Sequence, residues 1–194
     1  MTEPATESRE RVLAGTYECI ARAGIAKTTV EDAARASGVS RATIYRLFPG
    51  GRDELLRETV AWEMARFFAH LGVVLGPTPD FPTFLERALP LAREEVLGHE
   101  VLQRVLEHEP ERLMPLITVE QHHVIGYLAA YFRPLLAADG DAGLLRDGVD
   151  LDVAAEYVAR MALSLIASPG RHDLEDPAEV RRLVHHELLG GLLA

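Results

Sequence analysis

The chain has 194 residues, 48% of them hydrophobic, and its 20 lysines and arginines stand against 30 aspartates and glutamates for a net charge of −10. That length holds one medium domain, or a small one joined to a larger one, with enough apolar residues for a substantial core. No apolar run approaches the roughly 18 residues of a membrane span. Residues 1–10 are too polar and acidic for a signal peptide, and Cys19, the single cysteine, excludes an internal disulfide. The expected location is the cytoplasm, with no membrane partner, and so acidic a chain is a poor non-specific binder of nucleic acid.

Helical periodicity dominates, with almost no strand signal. Residues 7–23 predict a first helix with Val12, Leu13, Thr16, Tyr17 and Ile20 on one side, Gly24 as its stop and Gly15 as a weak point inside it. Residues 28–48 read as two short helices joined by a glycine turn. Thr28 with Glu31 fits a capping box, and Thr29 with Asp32 fits one a residue later. Val30, Ala33 and Ala34 face inward, Ala34 being small enough for a tight helix crossing. Gly38 supplies the left-handed turn, Val39 is a buried turn residue, and Ser40 caps the next helix. Ile44 and Leu47 plug the core, which leaves Arg41, Ala42, Thr43, Tyr45 and Arg46 on outward or flanking faces.

This is the pattern of a helix-turn-helix, whose second helix enters the DNA major groove. An ordinary helical hairpin is the plain alternative, but it does not call for caps, small residues, glycine and an arginine-bearing second helix together. The charge distribution agrees. Residues 1–60 hold nine basic and nine acidic residues, so residues 61–194 carry the whole excess of acid. Within 33–52 stand Arg35, Arg41, Arg46 and Arg52 and no acidic residue. Phosphate contact needs local positive potential, not a basic protein.

Pro49-Gly50-Gly51 is a turn. A long helix over 52–75 follows, roughly 36 Å at 1.5 Å per residue, suited to a connecting rod. Residues 76–80 form a linker, and Asp80 caps a helix over 81–98 that Pro90 is expected to kink. Further helices are predicted over 99–108, over 115–137 with a disturbance at Pro134, and over 151–168. Asp176-Pro177-Ala178-Glu179 opens a last helix running to the C-terminus. The helix over 151–168 is apolar on every side and so needs cover on every side. Val153, Tyr157, Met161 and Leu165 on it, with Val180, Leu183, Val184, Leu188 and Leu192 on the last helix, predict a homodimer interface. Packing within one subunit is the alternative.

The Thr28-Thr29-Val30 run, Gly38-Val39-Ser40 and Thr43-Ile44-Tyr45-Arg46-Leu47-Phe48-Pro49 resemble the TetR family of bacterial transcriptional regulators over about residues 10–60. The resemblance implies an all-α fold. It implies an N-terminal three-helix DNA-binding head (1–51), a connecting helix (52–75) and a larger helical ligand-binding and dimerisation domain (76–194). It also implies a homodimer on a palindromic double-stranded operator, and a repressor released by a small-molecule effector that acts through the connecting helix. Arg41 is implied as the direct base reader, with Ala42, Thr43 and Arg46 beside it; Thr29, Thr43 and Tyr45 match backbone-holding positions, and Ser40 is a further DNA-binding candidate. Many members have Phe-Pro-Ser-Lys before the fourth helix, the lysine touching phosphate. Here Phe48-Pro49-Gly50-Gly51-Arg52 is one residue longer, and Arg52 is the residue that would take the lysine's role.

Ligand sites are mainly apolar with a few placed polar groups. Phe67, Phe68, Leu71, Leu102, Leu106, Met114, Ile117, Gln121, His122, Ile125, Tyr127, Tyr157 and Met161 are the candidate lining, with His122 the best polar group. The adjacent pairs His122-His123 and His185-His186 point about 100° apart on a helix and lack the spacing by four that chelation favours, so no metal is expected. No nucleophile elbow, phosphate loop or dinucleotide glycine pattern occurs, so neither enzyme nor cofactor is expected. The rival readings are an activator or co-repressor-dependent regulator, and an all-helical small-molecule-binding or protein-interaction protein whose head no longer binds DNA.

Overall fold

The computed structural model describes the backbone of residues 5–194 and the side chains of residues 6–116, 122 and 124–194. The helices are α1 (Ala5–Ala23), α2 (Val30–Ser37), α3 (Arg41–Leu47), α4 (Gly51–Leu75), α5 (Phe81–Gly98), α6 (Glu100–His108), α7 (Pro110–Asp141), α8 (Leu151–Ala167) and α9 (Pro177–Arg182). A π-helical turn, Leu183–Leu188, continues α9. Among the described residues the sole extended pairing joins Leu145 to Leu193, and no helix is long and apolar enough to cross a membrane. The chain forms two compact units: residues up to Arg66 with His99–Gln121, and Phe67–Gly98 with His122–Ala194.

In the first unit, Val12 and Leu13 of α1, Val30, Ala33 and Ala34 of α2, Ile44 of α3, Phe48 and Leu55 share one buried cluster. Each large apolar side chain so buried contributes about 1.5–3 kcal/mol. A second cluster joins Ile20, Ile25 and Leu56 to Val105 of α6 and Leu113 of α7. The cap of α2 is Thr29, not Thr28: the Thr29 hydroxyl accepts the Asp32 N–H and the Asp32 carboxylate accepts the Thr29 N–H. Thr28 is buried, and its hydroxyl donates to the Gly24 carbonyl at 2.8 Å, which commits it to closing the α1–α2 loop. Gly15 is no defect. A Cβ there would lie 3.0 Å from the Ser37 backbone nitrogen and 3.2 Å from Ala36, so glycine is what lets α1 and α2 cross. Gly38 takes φ +69° and returns its N–H to the Ala34 carbonyl.

In the second unit, α5 buries Phe81, Phe84, Leu85, Leu89 and Ala92. α8 packs on it through Ala154, Ala155, Val158, Ala159 and Ala162, whose small side chains allow close approach. The rings of Phe84 and Phe132 meet edge to face with centroids 5.8 Å apart, and those of Phe81 and Phe132 at 5.3 Å. α5 continues through Pro90.

Two boundaries depart from expectation. α7 starts at Pro110, five residues before the expected 115, and runs through Pro115 and Pro134 to Asp141, past the expected end at 137. Both internal prolines are exposed, so the carbonyls they leave unpaired are solvated. The added turn places Asp139 where its carboxylate accepts the Phe81 N–H at 3.0 Å. The last helix starts as expected, with Asp176 as N-cap and Pro177 in the first turn. It then widens to a π turn closed by the Leu189 N–H on the Val184 carbonyl, and ends at Gly190, where a Cβ would lie 2.5 Å from the His186 carbonyl oxygen.

Candidate nucleic-acid interface and cavity

α3 is a short helix held at both ends. Ser40 is in extended conformation, and its hydroxyl accepts the Thr43 N–H at 3.1 Å and lies 3.0 Å from the Thr43 hydroxyl. At the other end Arg9 of α1 donates to the Leu47 carbonyl at 3.0 Å, lies over the Phe48 ring at 4.5 Å and pairs with Glu58. Ile44 is the wholly buried side chain, so Arg41, Ala42, Tyr45 and Arg46 are exposed and Thr43 is half-buried. That face carries two guanidiniums, a hydroxyl and a phenol, the donor set that reads base edges and phosphates.

Arg41 is not idle on this face: it forms an ion pair with Glu31 of α2. Hydrogen bonding to Arg41 holds the Glu31 carboxyl below the usual carboxylate range, and the same bond raises the Arg41 guanidinium. Asp32 is likewise lowered, chiefly by the Thr29 hydroxyl. Thr29 is exposed and engaged in its cap through the 2.6 Å bond from its hydroxyl to Asp32.

Arg52 is engaged with the α1–α2 loop. Its Nε donates to the Thr28 carbonyl at 2.8 Å, and one terminal nitrogen donates to the Ile25 carbonyl at 2.6 Å and the Ala26 carbonyl at 3.3 Å. The extra residue before α4 turns this side chain back onto the α1–α2 loop, whose carbonyls have no helical partner. The same loop is gripped through the Ala26 N–H, which donates to Glu109 at 2.6 Å. Sequence reading missed this bracing role because the loop carbonyls that Arg52 meets lie 24–27 positions away.

The second unit contains a cavity of about 380 Å³. Its walls come from the C-terminal part of α4 (Phe68, Leu71, Val73), α5 (Phe84, Leu89, Ala92), α7 (Tyr127, Leu128, Tyr131, Phe132) and α8 (Ala162, Ile166). Val73, 81% exposed, and Tyr127 and Tyr131 lie on the side that reaches solvent.

Residues 12–59 match the family model of bacterial regulatory proteins, tetR family. That stretch, from α1 into α4, matches the DNA-binding head of the TetR family of transcriptional regulators. The chain is 25% identical over 198 residues to an uncharacterized HTH-type transcriptional regulator of Mycobacterium bovis, covering 99% of this chain and 98% of that one. Its fold is similar to that of the R. erythropolis transcriptional repressor QsdR, with TM-score 0.66, 22% identity and 96% of each chain covered. It is also similar to AlkX from a Dietzia strain, a TetR-family repressor implicated in biodegradation of n-alkanes, with TM-score 0.64, 21% identity, and 91% and 90% of the chains covered. The matched head is that of DNA-binding transcriptional regulators.

Of the expected cavity residues, Phe68, Leu71 and Tyr127 line the cavity. Phe67 instead meets the Phe68 ring edge to face at 5.2 Å. Leu102 and Leu106 pack against the Val105 cluster of the first unit, and Met114 is half exposed there. His122 is exposed and Ile125 is buried away from the lining, because α7 presents positions 127, 128, 131 and 132 to the cavity. Tyr157 and Met161 lie on the exposed face of α8, whereas Ala162 and Ile166 line the cavity. Ile117 and Gln121 lie outside the described side chains. The missed wall, Phe84, Tyr131 and Phe132, had its signal in the aromatic residues at matching spacings on two helices.

The expected dimer residues divide. Val153, Tyr157 and Met161 form an exposed apolar stripe along α8 at four-residue spacing. Leu165, Val180, Leu183, Val184 and Leu188 are buried within their own chain, and Leu192 is half-buried. α9 and its π continuation pack against α5 within the chain.

Proposed function

We propose that this regulator is a repressor that binds a palindromic operator as a homodimer and releases it when a small molecule fills the cavity of the second unit. In this reading residues 1–51 are the DNA-binding domain, 52–75 the connecting helix and 76–194 the ligand-binding and dimerisation domain. Arg41 reads base edges, with Ala42, Thr43 and Arg46 alongside, and Thr29, Ser40 and Tyr45 hold the backbone. Arg52 is a brace and leaves this set. The α8 stripe Val153–Tyr157–Met161 is the face a second copy covers, since an exposed apolar run of that kind marks an interaction surface. Two heads related by a two-fold axis then meet half-sites about 34–36 Å apart. The repressor names of the fold neighbours support the sign of regulation.

The observation that carries this reading is the pairing, in one chain, of an exposed arginine-bearing α3 with an apolar cavity partly walled by α4, the helix that also places Leu55 and Leu56 in the cores of the first unit. The test is selection of genomic fragments at about 150 mM salt, where weak phosphate-only binding is screened. Protein refolded from denaturant, and so stripped of bound effector, should enrich a palindrome. A single asymmetric half-site would remove the dimer. No enrichment by folded protein would overturn the reading in favour of a non-DNA role.

A further inference from the structure

We infer that the effector of this regulator is a compact, uncharged hydrophobe, and that the cavity rejects carboxylates, phosphates and ammonium groups. The inference rests on the cavity being the effector site and adds the chemistry it selects. Among the described residues, none of the side chains lining the cavity is charged, and the polar side-chain atoms there are the hydroxyls of Tyr127 and Tyr131. The inner wall is built of rings and hydrocarbon, including Phe84, Phe132, Leu89 and Ile166. An ionised group entering it would shed its water and meet neither a counter-charge nor a set of donors, which strongly disfavours the charged form.

The two phenols lie on the solvent side and are 41% exposed each. Gly72 leaves room for one of them: a Cβ there would stand 3.3 Å from the Tyr131 hydroxyl. The site therefore offers hydrogen bonding at its mouth and apolar contact inside. It fits a molecule with a hydrocarbon or aromatic body and at most a hydroxyl, carbonyl or ether turned toward the tyrosines. About 380 Å³ is at the small end of ligand pockets, which excludes large conjugates as fully enclosed guests.

A matched pair of fluorescent probes tests this. N-phenylnaphthylamine is uncharged, and anilinonaphthalenesulfonate shares its ring body but adds a sulfonate. The full-length protein should bind the uncharged probe saturably, one per chain, and the sulfonate at least roughly tenfold more weakly. Ala88 of α5 also lines the cavity, so Ala88→Phe places a ring in it and should abolish binding of the uncharged probe while the melting transition persists. Ala88→Leu, a smaller intrusion, should weaken it in the same direction and serves if the first variant fails to fold. Equal or tighter sulfonate binding that Ala88→Phe removes would overturn the charge selectivity and leave the cavity as a binding site. Uncharged-probe binding that survives both substitutions, or no binding at all, would overturn the inference at this site. Both probes are read without DNA, so a missing operator response would count against the repressor reading alone.

Discussion

The head and the cavity unit use their polar groups in opposite ways. In the head, nearly every polar side chain near α2 and α3 is tied to a partner: Thr29 to Asp32, Ser40 to Thr43, Arg41 to Glu31, and Arg52 to three carbonyls. These bonds fix a small body whose apolar cluster alone is modest, so the reading face is presented rigidly. The cavity unit gains its form from rings and small aliphatic side chains on helices far apart in sequence, and it keeps charge away from the space it encloses. The contrast teaches that one chain can stabilise one region by local hydrogen bonding and another by long-range apolar packing, each matched to the chemistry it meets.

The largest expected effect lies in the cavity unit. Phe132→Ala removes a ring shared by three aromatic contacts and should destabilise the protein by about 3–5 kcal/mol, read from denaturant midpoints. A loss no larger than that of a surface substitution would break the claim that packing forms this unit. Next comes the head: Arg52→Ala removes a charged donor from the Thr28, Ile25 and Ala26 carbonyls, Ile25 keeping the Thr28 N–H, and should cost about 1.5–3 kcal/mol, with Arg52→Lys rescuing little because an ammonium lacks the fork. If Arg52→Ala instead left stability intact and raised the operator Kd, the brace would be wrong and the phosphate role restored.

Arg41→Ala should weaken the specific operator by about tenfold to a hundredfold, and random DNA far less, in fluorescence anisotropy titrations. Equal losses on both would remove it from base reading. Glu31→Gln frees Arg41 from its ion pair and should tighten DNA binding a few-fold, an effect that fades as salt rises.

The smallest effect is a pH dependence in the cavity unit. Asp139 is buried, and its carboxyl is pushed above the ordinary range, mainly by burial, with the nearby Asp80 charge adding to it. The folded state therefore holds the proton more tightly than the unfolded chain. Stability from this group is full below the ordinary carboxylate value and is lost as pH rises through the raised one. Asp139→Asn keeps an oxygen for the Phe81 N–H and should be more stable than the parent near neutral pH, the difference shrinking as pH falls through that window. Urea midpoints of both proteins across the acid range would read it; a constant difference would show that ionisation of Asp139 carries none of it.

The sequence by itself determined the helix-turn-helix. Its caps, its glycine turn, buried Ile44 and the outward Arg41, Tyr45 and Arg46 all follow from spacings of three and four, because local hydrogen bonds and one helical period decide which way each side chain points. The helices of the second unit were also legible from Asp80, Asp176-Pro177 and the apolar periodicity. Tertiary structure alone decided what those helices face. α9 packs against α5, α8 keeps Val153, Tyr157 and Met161 exposed, Leu102 and Leu106 go to the first unit, and Arg52 folds back onto residues 25–28. A helical stripe states that a face must be covered, but burial is non-directional, so which neighbour covers it depends on how the remaining helices fill space.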